Sequence, residues 1–507
     1  MLVRPLSALA LLIVAACDRA ERPEPQPAPL PAEVVQSGDA YFSAAQSALR
    51  ERLALAPNTG PATNVILFVA DGMDPTTVIA ARILAGQQAG MLGEENYLSF
   101  ERFPYVAYSK TYTHDYQVPD SAGTMSAMIT GVKTNSGVLS VTKDVQRNDC
   151  EGAKANPAET LGELADRAGL AVGVVSTARI THATPAAVFT HSANRNWEDD
   201  MSLPAGVDCR DIARQFIEYG GEIDVVLGGG RRHFYPNDFP DPEDEGETGT
   251  RGDGRDLVAE WVSKSDAHQF VWDKVGFDRI DPASDPKVLG LFERSHMEYE
   301  IDRASDTAGE PSLAEMTAKA IEILQNDPDG FFLVVEAGRV DHAHHGGNAA
   351  RALTDAIAFA DAVAVARDMT SPDDTLVIAT ADHGHTMAFQ GYPARGNKML
   401  DIARSPIGDP IMARDGKAYT TLVYGNGPGA VPGDAPRPDP AAADVFAADY
   451  RQQAAIPSYS ETHGGQDVGI YADGPGAYLF TGVVEQNYIY HVVDHALRLE
   501  QKLARAE

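Results

Sequence analysis

The sequence predicts an α/β fold in which a central, mostly parallel sheet is flanked by helices on both faces. One observation is that apolar, strand-like segments alternate with helical segments along most of the chain. A second is that three apolar strands run directly into carboxylates or imidazoles, at Asp71, at Glu336 and at Asp382. Because parallel strands present their carboxyl ends at one edge of an open sheet, these side chains are expected to meet there.

The expected strands are short apolar runs bounded by polar or glycine residues. They lie at residues 64–70, 171–176, 224–227, 331–335 and 375–380. The expected helices combine apolar periodicity with start or stop signals, such as Gly169 after one helix and Pro311 before another. They lie at residues 75–85, 121–128, 160–168, 312–325 and 349–367.

The run Gly228–Gly230 ends one of these strands. A phosphate-binding loop is the alternative interpretation, but the run lacks the lysine and following serine or threonine that such a loop needs. A tight turn at the strand end is therefore expected.

Two stretches interrupt the alternation of strands and helices within a large domain that we expect to span residues 36–507. Residues of about 231–310 are rich in Asp, Glu, Pro and Gly, which predicts an insertion. Residues of about 390–460 contain Gly-Pro and Pro-Asp-Pro turns with little periodicity, which predicts a small accessory subdomain.

The first residues read as a targeting segment. Arg4 precedes an apolar run that is too short to span a bilayer, and the run ends at Cys17 in a sequence that resembles a bacterial lipoprotein processing site. We expect a signal peptide over residues 1–17, a lipid on Cys17 and a proline-rich tether over residues 18–35. The expected location is the periplasm, anchored to the inner membrane as Asp18 suggests. An ordinary signal peptide, without lipid, is the alternative.

Charge and cysteine content exclude several classes of partner and suggest a cross-link. The net charge of −32 opposes binding to nucleic acid or to anionic lipid surfaces. An anionic substrate would need local attraction from metal ions or arginine. Apart from Cys17, the chain contains Cys150 and Cys209, which in an exported protein favour a disulfide over two separate thiols.

Histidines and carboxylates near the strand ends predict a metal site. Asp341 and His345 are four residues apart, so they share one face of a helical turn. Asp382 and His383 are adjacent at a strand end, and His463 precedes two glycines in a polar stretch. Imidazole and carboxylate without thiolate suit zinc in a catalytic site.

Ser121 lies in the sequence Val-Pro-Asp-Ser-Ala-Gly-Thr at an expected helix start. A cap formed by Asp120 or Ser121 would explain the pattern. The functional interpretation is that Ser121 is a nucleophile, because free amides at a helix N-terminus favour an anionic oxygen and a nearby metal can stabilise an alkoxide.

At this point the sequence resembles the alkaline phosphatases from about residue 60 to residue 500. The motifs that carry the resemblance occur in the family's order, and some, such as Asn194–Trp197 and Tyr424–Gly429, resemble its animal branch. They are Asp71–Met73, Pro119–Thr124, His182–Pro185, Glu336 with Asp341 and His345, Asp382–Gly384, and Glu461–His463.

The resemblance implies the family's fold with a crown-like accessory subdomain, and it assigns roles to individual residues. Ser121 would be the nucleophile and Arg195 would bind phosphate oxygens. Asp120, His182 and His342 would support the metals and the phosphate from a second layer. Two Zn²⁺ and one Mg²⁺ are implied. The implied zinc ligands are Asp341, His345 and His463 for one ion and Asp71, Asp382 and His383 for the other, with Asp71, Thr184 and Glu336 around the magnesium.

The animal branch further implies Ca²⁺, a disulfide between Cys150 and Cys209, and a homodimer. The candidate calcium ligands are Glu243, Phe292, Glu293 and Glu310; solvated acids without an ion are the alternative. The expected activity is hydrolysis of small phosphate monoesters through a phosphoserine on Ser121. Phosphodiesterases and sulfatases of the same superfamily are the alternative enzymes, and a phosphate-binding lipoprotein is the non-enzymatic one.

Overall fold

The structure, a computed structural model, describes residues 34–506 and divides them into two compact units. The described part of the first unit, residues 34–56, contains a short 3-10 helix (Val35–Gly38) and one α-helix, α1 (Ala40–Leu53), whose N-cap Asp39 accepts a hydrogen bond from the Phe42 amide. Residues 57–506 form the second unit. The expected signal peptide, Cys17 and most of the expected tether lie outside the described residues.

The second unit alternates strands and helices. Its strands are β1 (Asn64–Ala70), β2 (Tyr105–Lys110), β3 (Ala171–Arg179), β4 (Val225–Gly229), β5 (His268–Val271), β6 (Lys287–Leu291), β7 (Phe331–Ala337), β8 (Thr375–Thr380), β9 (Gly384–His385), β10 (Met387–Phe389), β11 (Leu422–Gly427), β12 (Ala454–Pro457), β13 (His463–Gly464), β14 (Val468–Asp473) and β15 (Gly482–Glu485).

Helices connect these strands. They are α2 (Pro75–Gln88), α3 (Ser121–Thr130), α4 (Cys150–Ala155), α5 (Leu161–Arg167), α6 (Ala183–Ala186), α7 (Ile212–Ile217), α8 (Leu257–Ser263), α9 (Lys274–Asp278), α10 (Leu313–Leu324), α11 (Arg339–His345), α12 (Ala349–Met369), α13 (Tyr488–Leu497) and α14 (Leu499–Ala506).

Ten strands form one sheet in the order β15-β2-β14-β8-β1-β7-β3-β4-β6-β5. From β8 to β5 every neighbouring pair is parallel, whereas β14 runs antiparallel to both β8 and β2. The predicted fold class, a mostly parallel sheet flanked by helices, is confirmed.

Strand β1 shows why both faces of the sheet must be covered. Val65, Leu67 and Val69 belong to the core on one face, and Ile66 and Phe68 belong to the core on the other. Successive side chains of a strand point to opposite faces, so a strand that is apolar throughout can only be stable between two layers of helices.

The expected strands and helices all occur, with ends displaced by a few residues. The helix expected at residues 160–168 begins after Thr160, whose hydroxyl caps the Glu163 amide while Glu163 caps Thr160 in return. The glycine run ends β4, and Gly230 has φ +98°, as a tight turn requires.

The stretch expected to be an insertion, residues of about 231–310, contains β5 and β6, which extend the central sheet rather than forming a separate body. Residues of about 390–460 contain β11 and β12, which form a separate three-stranded sheet with β10, just before this stretch. Among residues 34–506, no helix combines the length and apolar character required to cross a bilayer.

Candidate active site and metal centre

Three adjacent strands deliver the predicted site residues to one edge of the sheet. β1 ends one residue before Asp71, and it lies between β7, which contains Glu336, and β8, which ends two residues before Asp382. After β7 the chain turns into α11, which presents Asp341 and His345 on one face. The structure therefore brings the predicted carboxylates together as the strand pattern implied.

Gly72 allows the chain to turn away immediately after Asp71. It has φ +77°, and a Cβ built on it would lie 2.5 Å from the His385 ring. Its amide donates a hydrogen bond to Asp382 Oδ1 at 3.0 Å. A larger residue would displace that ring and strain the backbone.

Ser121 is the first residue of α3, and its side chain is almost fully buried. The preceding Asp120 caps the helix by accepting a hydrogen bond from the Gly123 amide at 3.2 Å. Ser121 Oγ lies 3.3 Å from Asp71 Oδ2 and 3.2 Å from His383 Nε2. The cap interpretation thus applies to Asp120, while Ser121 faces the carboxylate and imidazole groups.

Asp71, Asp382 and His383 form one candidate metal group, with one ligand atom from each lying within 4.8 Å of the others. His383 Nε2 is 3.3 Å from Asp71 Oδ1 and 3.2 Å from Asp382 Oδ2. All three residues are completely buried. This is the second zinc set that the sequence predicted.

Asp341, His345 and His463 form the first predicted zinc set. Asp341 Oδ1 lies 3.3 Å from Nε2 of each histidine, and the two Nε2 atoms are 3.1 Å apart. His345 Nδ1 lies 2.6 Å from the carbonyl oxygen of Glu461, and His463 Nδ1 lies 2.7 Å from that of Pro119. A carbonyl only accepts, so each Nδ1 carries the proton and each Nε2 lone pair is left for a metal.

His463 reaches this group through the pairing of two short strands. β13 runs antiparallel to β9, with His463 opposite His385. The pairing places the His463 ring 3.6 Å, centre to centre, from the ring of His383. A ligand from far along the chain is thereby fixed between the two groups.

Glu336, Asp71 and His182 form a third group whose ligand atoms lie within 4.8 Å of one another. Thr184 lies on α6, is completely buried, and is near enough to Glu336 to lower the pKa of that carboxyl, against the larger effect of burial. One oxygen of Glu336 accepts a hydrogen bond from Ser176, whereas Oε1 has no hydrogen-bond partner among the described residues. An unpaired carboxylate oxygen among buried oxygen ligands fits magnesium.

The charges of these groups are compatible with a bound cation. Burial, followed by repulsion from Asp382, Asp341 and Glu336, raises the pKa of Asp71 well above its usual value. Burial, with repulsion from Asp382 and Asp341, raises the pKa of Glu336 to about 7. Buried carboxylates this close together are stable as anions only when a positive charge compensates them. The donor set therefore fits divalent metal ions.

Arg195 is held in place by Asp120 and His182. Its Nη1 donates to Asp120 Oδ2 at 3.1 Å, and its Nη2 lies 3.0 Å from His182 Nε2. Burial favours the neutral form of Asp120, but Arg195 and the amides of Gly137 and Gly123 lower the pKa of that carboxyl below its usual range. Asp120 therefore stays ionised and orients the guanidinium.

His342 packs near His182, beside the candidate metal groups. Their ring centres are 5.4 Å apart, and His296, which the sequence analysis did not identify, lies 4.1 Å from His342. Burial is the largest cause that lowers the pKa of His342, to about 3, so this ring is neutral beside the site.

His385 was not predicted from the sequence. Its Nε2 lies 2.8 Å from Asp341 Oδ1 and its Nδ1 lies 2.6 Å from Glu461 Oε2. Burial opposes the charge, but the two carboxylates raise the pKa of His385 to about 10. The signal was present in the sequence Asp-His-Gly-His, but the role of the second histidine depends on the pairing of β9 with β13.

The candidate calcium residues are only partly brought together. Glu243 and Glu293 meet Asp306, with ligand atoms within 4.8 Å, whereas Glu310 instead accepts a hydrogen bond from the Glu298 amide. The carbonyl of Phe292 accepts from Arg231, which also binds Glu243. Asp306 thus takes the place expected for Glu310. The sequence did not indicate this, because the path of the loop between Glu293 and Glu310 could not be predicted.

Cys150 and Cys209 form a disulfide, with a Cα–Cα distance of 5.8 Å. The bond joins the start of α4 to the loop before α7. The expected cross-link is confirmed.

Comparisons with known proteins agree with this site. The family model described as alkaline phosphatase matches residues 62–499. The tissue-nonspecific alkaline phosphatase isozyme of Gallus gallus is 45% identical over 462 residues, which cover 89% of this chain and 88% of that protein. The isozyme of Homo sapiens is 43% identical over 463 residues, covering 89% and 87%.

Solved structures are similar over most of the chain. The alkaline phosphatase of Thermus thermophilus is 25% identical with a TM-score of 0.63, covering 89% of this chain and 96% of that one. The alkaline phosphatase of the Antarctic bacterium TAB5 is 22% identical with a TM-score of 0.59, covering 87% and 99%, and supports the fold.

Proposed function

The chain belongs to the alkaline phosphatase family, and on this premise we propose that it hydrolyses phosphate monoesters through a phosphoserine on Ser121. The observation that carries the proposal is the position of Ser121 Oγ, 3.3 Å from a carboxylate shared by two candidate metal groups and 3.2 Å from His383. The alternative role of Ser121 as a helix cap is filled by Asp120.

The three groups suit two zinc ions and one magnesium ion. Bound metals would supply positive charge that neutralises the phosphate and lowers the pKa of nearby hydroxyl groups and water. The proposed zinc ligands are Asp341, His345 and His463 for one ion and Asp71, Asp382 and His383 for the other. The proposed magnesium ligands are Asp71, Thr184 and Glu336.

Arg195 would bind the substrate's phosphate. Its planar guanidinium can donate two parallel hydrogen bonds to phosphate oxygens, and Asp120 and His182 hold it in one orientation. In a protein with a net charge of −32, this local positive charge offsets an unfavourable overall field for an anionic substrate.

Ser121 would attack phosphorus in line with the ester oxygen. The Ser121 hydroxyl gives up its proton, the bond from Oγ to phosphorus forms as the bond to the leaving oxygen breaks, and the leaving alcohol takes up a proton in exchange. A water molecule then attacks the phosphoserine, releasing inorganic phosphate and restoring the Ser121 hydroxyl. The positive end of the α3 dipole would stabilise negative charge on Oγ, because Ser121 is the first residue of that helix.

We further propose an exported homodimer that acts on small phosphate monoesters. The disulfide supports export, since such bonds persist in oxidising compartments. Lipid attachment at Cys17 and a periplasmic location remain proposals. The proposed calcium site retains Glu243, Glu293 and the Phe292 carbonyl, and replaces Glu310 with Asp306.

The direct test compares an aryl phosphate monoester with the matching diester and sulfate. Each is assayed with zinc and magnesium, after chelation, and after the metals are returned. Metal-dependent activity dominated by the monoester supports the proposal. Preference for the diester or the sulfate would assign the chain to a different activity of the same superfamily.

A further inference from the structure

Arg195 lies on a short two-stranded segment, which we call the arginine ribbon, made of residues 137–140 and 191–195. Leu139 and Ser192 exchange two backbone hydrogen bonds at 2.8 and 2.9 Å, and the Arg195 amide donates to the Gly137 carbonyl at 2.9 Å. The Gly137 amide in turn donates to Asp120. The position of the guanidinium therefore depends on the geometry of this ribbon.

His191 closes the other end of the arginine ribbon. Its Nδ1 lies 2.6 Å from the carbonyl oxygen of Ser140, and its Nε2 lies 2.9 Å from Glu163 Oε1 on α5. Its backbone amide donates to Gln215 Oε1 at 3.1 Å. Three contacts thus hold one residue against the ribbon, α5 and α7.

Both ring nitrogens of His191 face groups that accept hydrogen bonds. A carbonyl cannot donate, and an ionised carboxylate cannot donate either, so both contacts are satisfied only when each nitrogen carries a proton. The neutral ring would leave one nitrogen lone pair facing an oxygen lone pair. Burial opposes the charge, yet Glu163 and the Ser140 carbonyl raise the pKa of His191 above its usual value.

The charges around His191 come from several elements. Glu163 is the acid in direct contact, and Glu159, just before α5, adds a weaker favourable field. A cavity of about 440 Å³ on the other side gives solvent access and is lined by other charged side chains. They are Lys154 on α4, Asp208 and Arg210 on the loop before α7, and Arg214 on α7.

These other charges have ion-pair partners of their own. Lys154 contacts Glu151 and Asp208, and Arg214 contacts Glu218 at 2.8 Å. Glu163 is therefore the partner that controls the protonation of His191.

Ser140 links His191 to other parts of the structure. It has φ +46°, a strained conformation for a residue with a side chain. Its amide donates to Ser126 Oγ on α3 at 2.8 Å, and its own hydroxyl donates to the Ala187 carbonyl at 2.6 Å. Loosening Ser140 would disturb both the arginine ribbon and the helix that begins at Ser121.

We propose that His191, in its doubly protonated form, is a positioning residue that holds the arginine ribbon and thereby sets the affinity of Arg195 for phosphate. Loss of the proton breaks one of the two ring contacts and weakens phosphate binding. The inference rests on the proposed role of Arg195, and it predicts that part of the pH dependence of phosphate affinity originates outside the metal site.

The test measures the inhibition constant of inorganic phosphate and the kcat and KM of an aryl monoester in the metal-loaded enzyme. Wild type is compared with His191→Gln, Glu163→Gln and the control His495→Gln, an exposed histidine on α13. The pH runs from about 6 to about 9, across the titration of histidine. Each constant is divided by the wild-type value at the same pH, which cancels the effect of phosphate ionisation because that effect is common to all variants.

We expect His191→Gln to raise the inhibition constant about three- to tenfold at the lower pH, the size of effect that the loss of one ordinary hydrogen bond produces, and less at the higher pH. The KM of the monoester should rise together with the inhibition constant, whereas kcat should change less. In Glu163→Gln, phosphate affinity should begin to fall at a lower pH than in wild type, because the carboxylate no longer stabilises the imidazolium. A merely structural role would not produce that shift.

The proposal would be overturned if the ratio of the inhibition constants of His191→Gln and wild type did not change with pH. It would also be overturned if phosphate affinity fell at the same pH in Glu163→Gln as in wild type. Glu163→Gln keeps the shape of the capping side chain, so the test survives if His191→Gln fails to fold. If wild type does not hydrolyse monoesters or is not inhibited by phosphate, the proposed function fails instead. The two failures are therefore distinguishable.

Discussion

Ser121 Oγ lies 3.2 Å from Nε2 of His383, so the first residue of α3 and a residue just beyond β8 meet at one point. His383 is completely buried, and its ring also lies against His463. A hydroxyl in this position is a candidate nucleophile beside a metal ligand rather than a solvent-exposed serine.

Replacing Ser121 with alanine should therefore abolish turnover. We expect kcat for an aryl phosphate to fall at least about a thousandfold, because the step that forms the phosphoserine is lost. Inhibition by phosphate should remain, since Arg195 and the candidate metal ligands are unchanged. Ser284→Ala, at an exposed turn, is the matched control. Full turnover by Ser121→Ala would contradict the assignment.

Removal of His385 should weaken one metal site selectively. Its ring contacts Asp341, a proposed ligand of one zinc, while Asp382 and Asp71 are proposed ligands of the other. We expect His385→Ala to raise the dissociation constant of that one zinc about 10- to 100-fold. Metal content after dialysis against a zinc buffer measures the effect, with His495→Ala as control. Full retention of both ions would show that His385 does not support the site.

Much of this arrangement could be predicted from the sequence, for a physical reason. Strands β1, β7 and β8 are buried on both faces, so they appear as continuous apolar runs, and their ends are marked by the first charged residue. Strand β2 was not predicted because it alternates buried and exposed residues and contains serine and lysine. The pattern of a half-exposed strand is weaker over six residues.

Other features depend on contacts that no local pattern contains. The place of His385 is set by the pairing of β9 with β13, far apart in sequence. Asp306, not Glu310, joins Glu293 because the path of a loop decides which carboxylate arrives. In these cases the residue types were informative, but their partners were determined by tertiary structure.

Asp355 makes stability depend on pH outside the metal site. It is almost fully buried on α12, where its carboxylate accepts from the Glu300 amide at 3.2 Å, and burial is the main cause that raises its pKa to about 8. The unfolded chain ionises this acid near its usual pKa of about 3.9. The folded state therefore loses stability as pH rises from about 4 to about 8, and the loss is complete at higher pH.

Asp355→Asn should remove this loss while its side-chain oxygen still accepts the Glu300 hydrogen bond. We expect stabilisation on the order of a few kcal/mol at pH 9 and a much smaller effect near pH 4. Thermal unfolding of the metal-loaded protein measures it, with Asp368→Asn on the exposed side of the same helix as control. If Asp355→Asn changed stability equally at both pH values, the effect would not come from ionisation of Asp355.

The disulfide between Cys150 and Cys209 should contribute to stability through the loop that it closes. The two residues are separated by 59 positions, for which loop closure predicts about 4 kcal/mol. In a Cys17→Ala background we expect no titratable thiol before reduction of the denatured protein. Replacing both cysteines by alanine should lower the unfolding temperature. Two thiols before reduction would reject the bond.

The order of strands in the sheet has a consequence for how the chain is made. Ile66 of β1 lies between Leu333 of β7 and Val377 of β8. β1, the first strand of the described residues, is therefore synthesised long before the two strands that pair with it. An unpaired apolar strand is prone to aggregation during that interval. Because the metal groups draw on residues from Asp71 to His463, ions can be captured only by a nearly complete chain. We therefore expect metal loading to be a late step in the biogenesis of this protein.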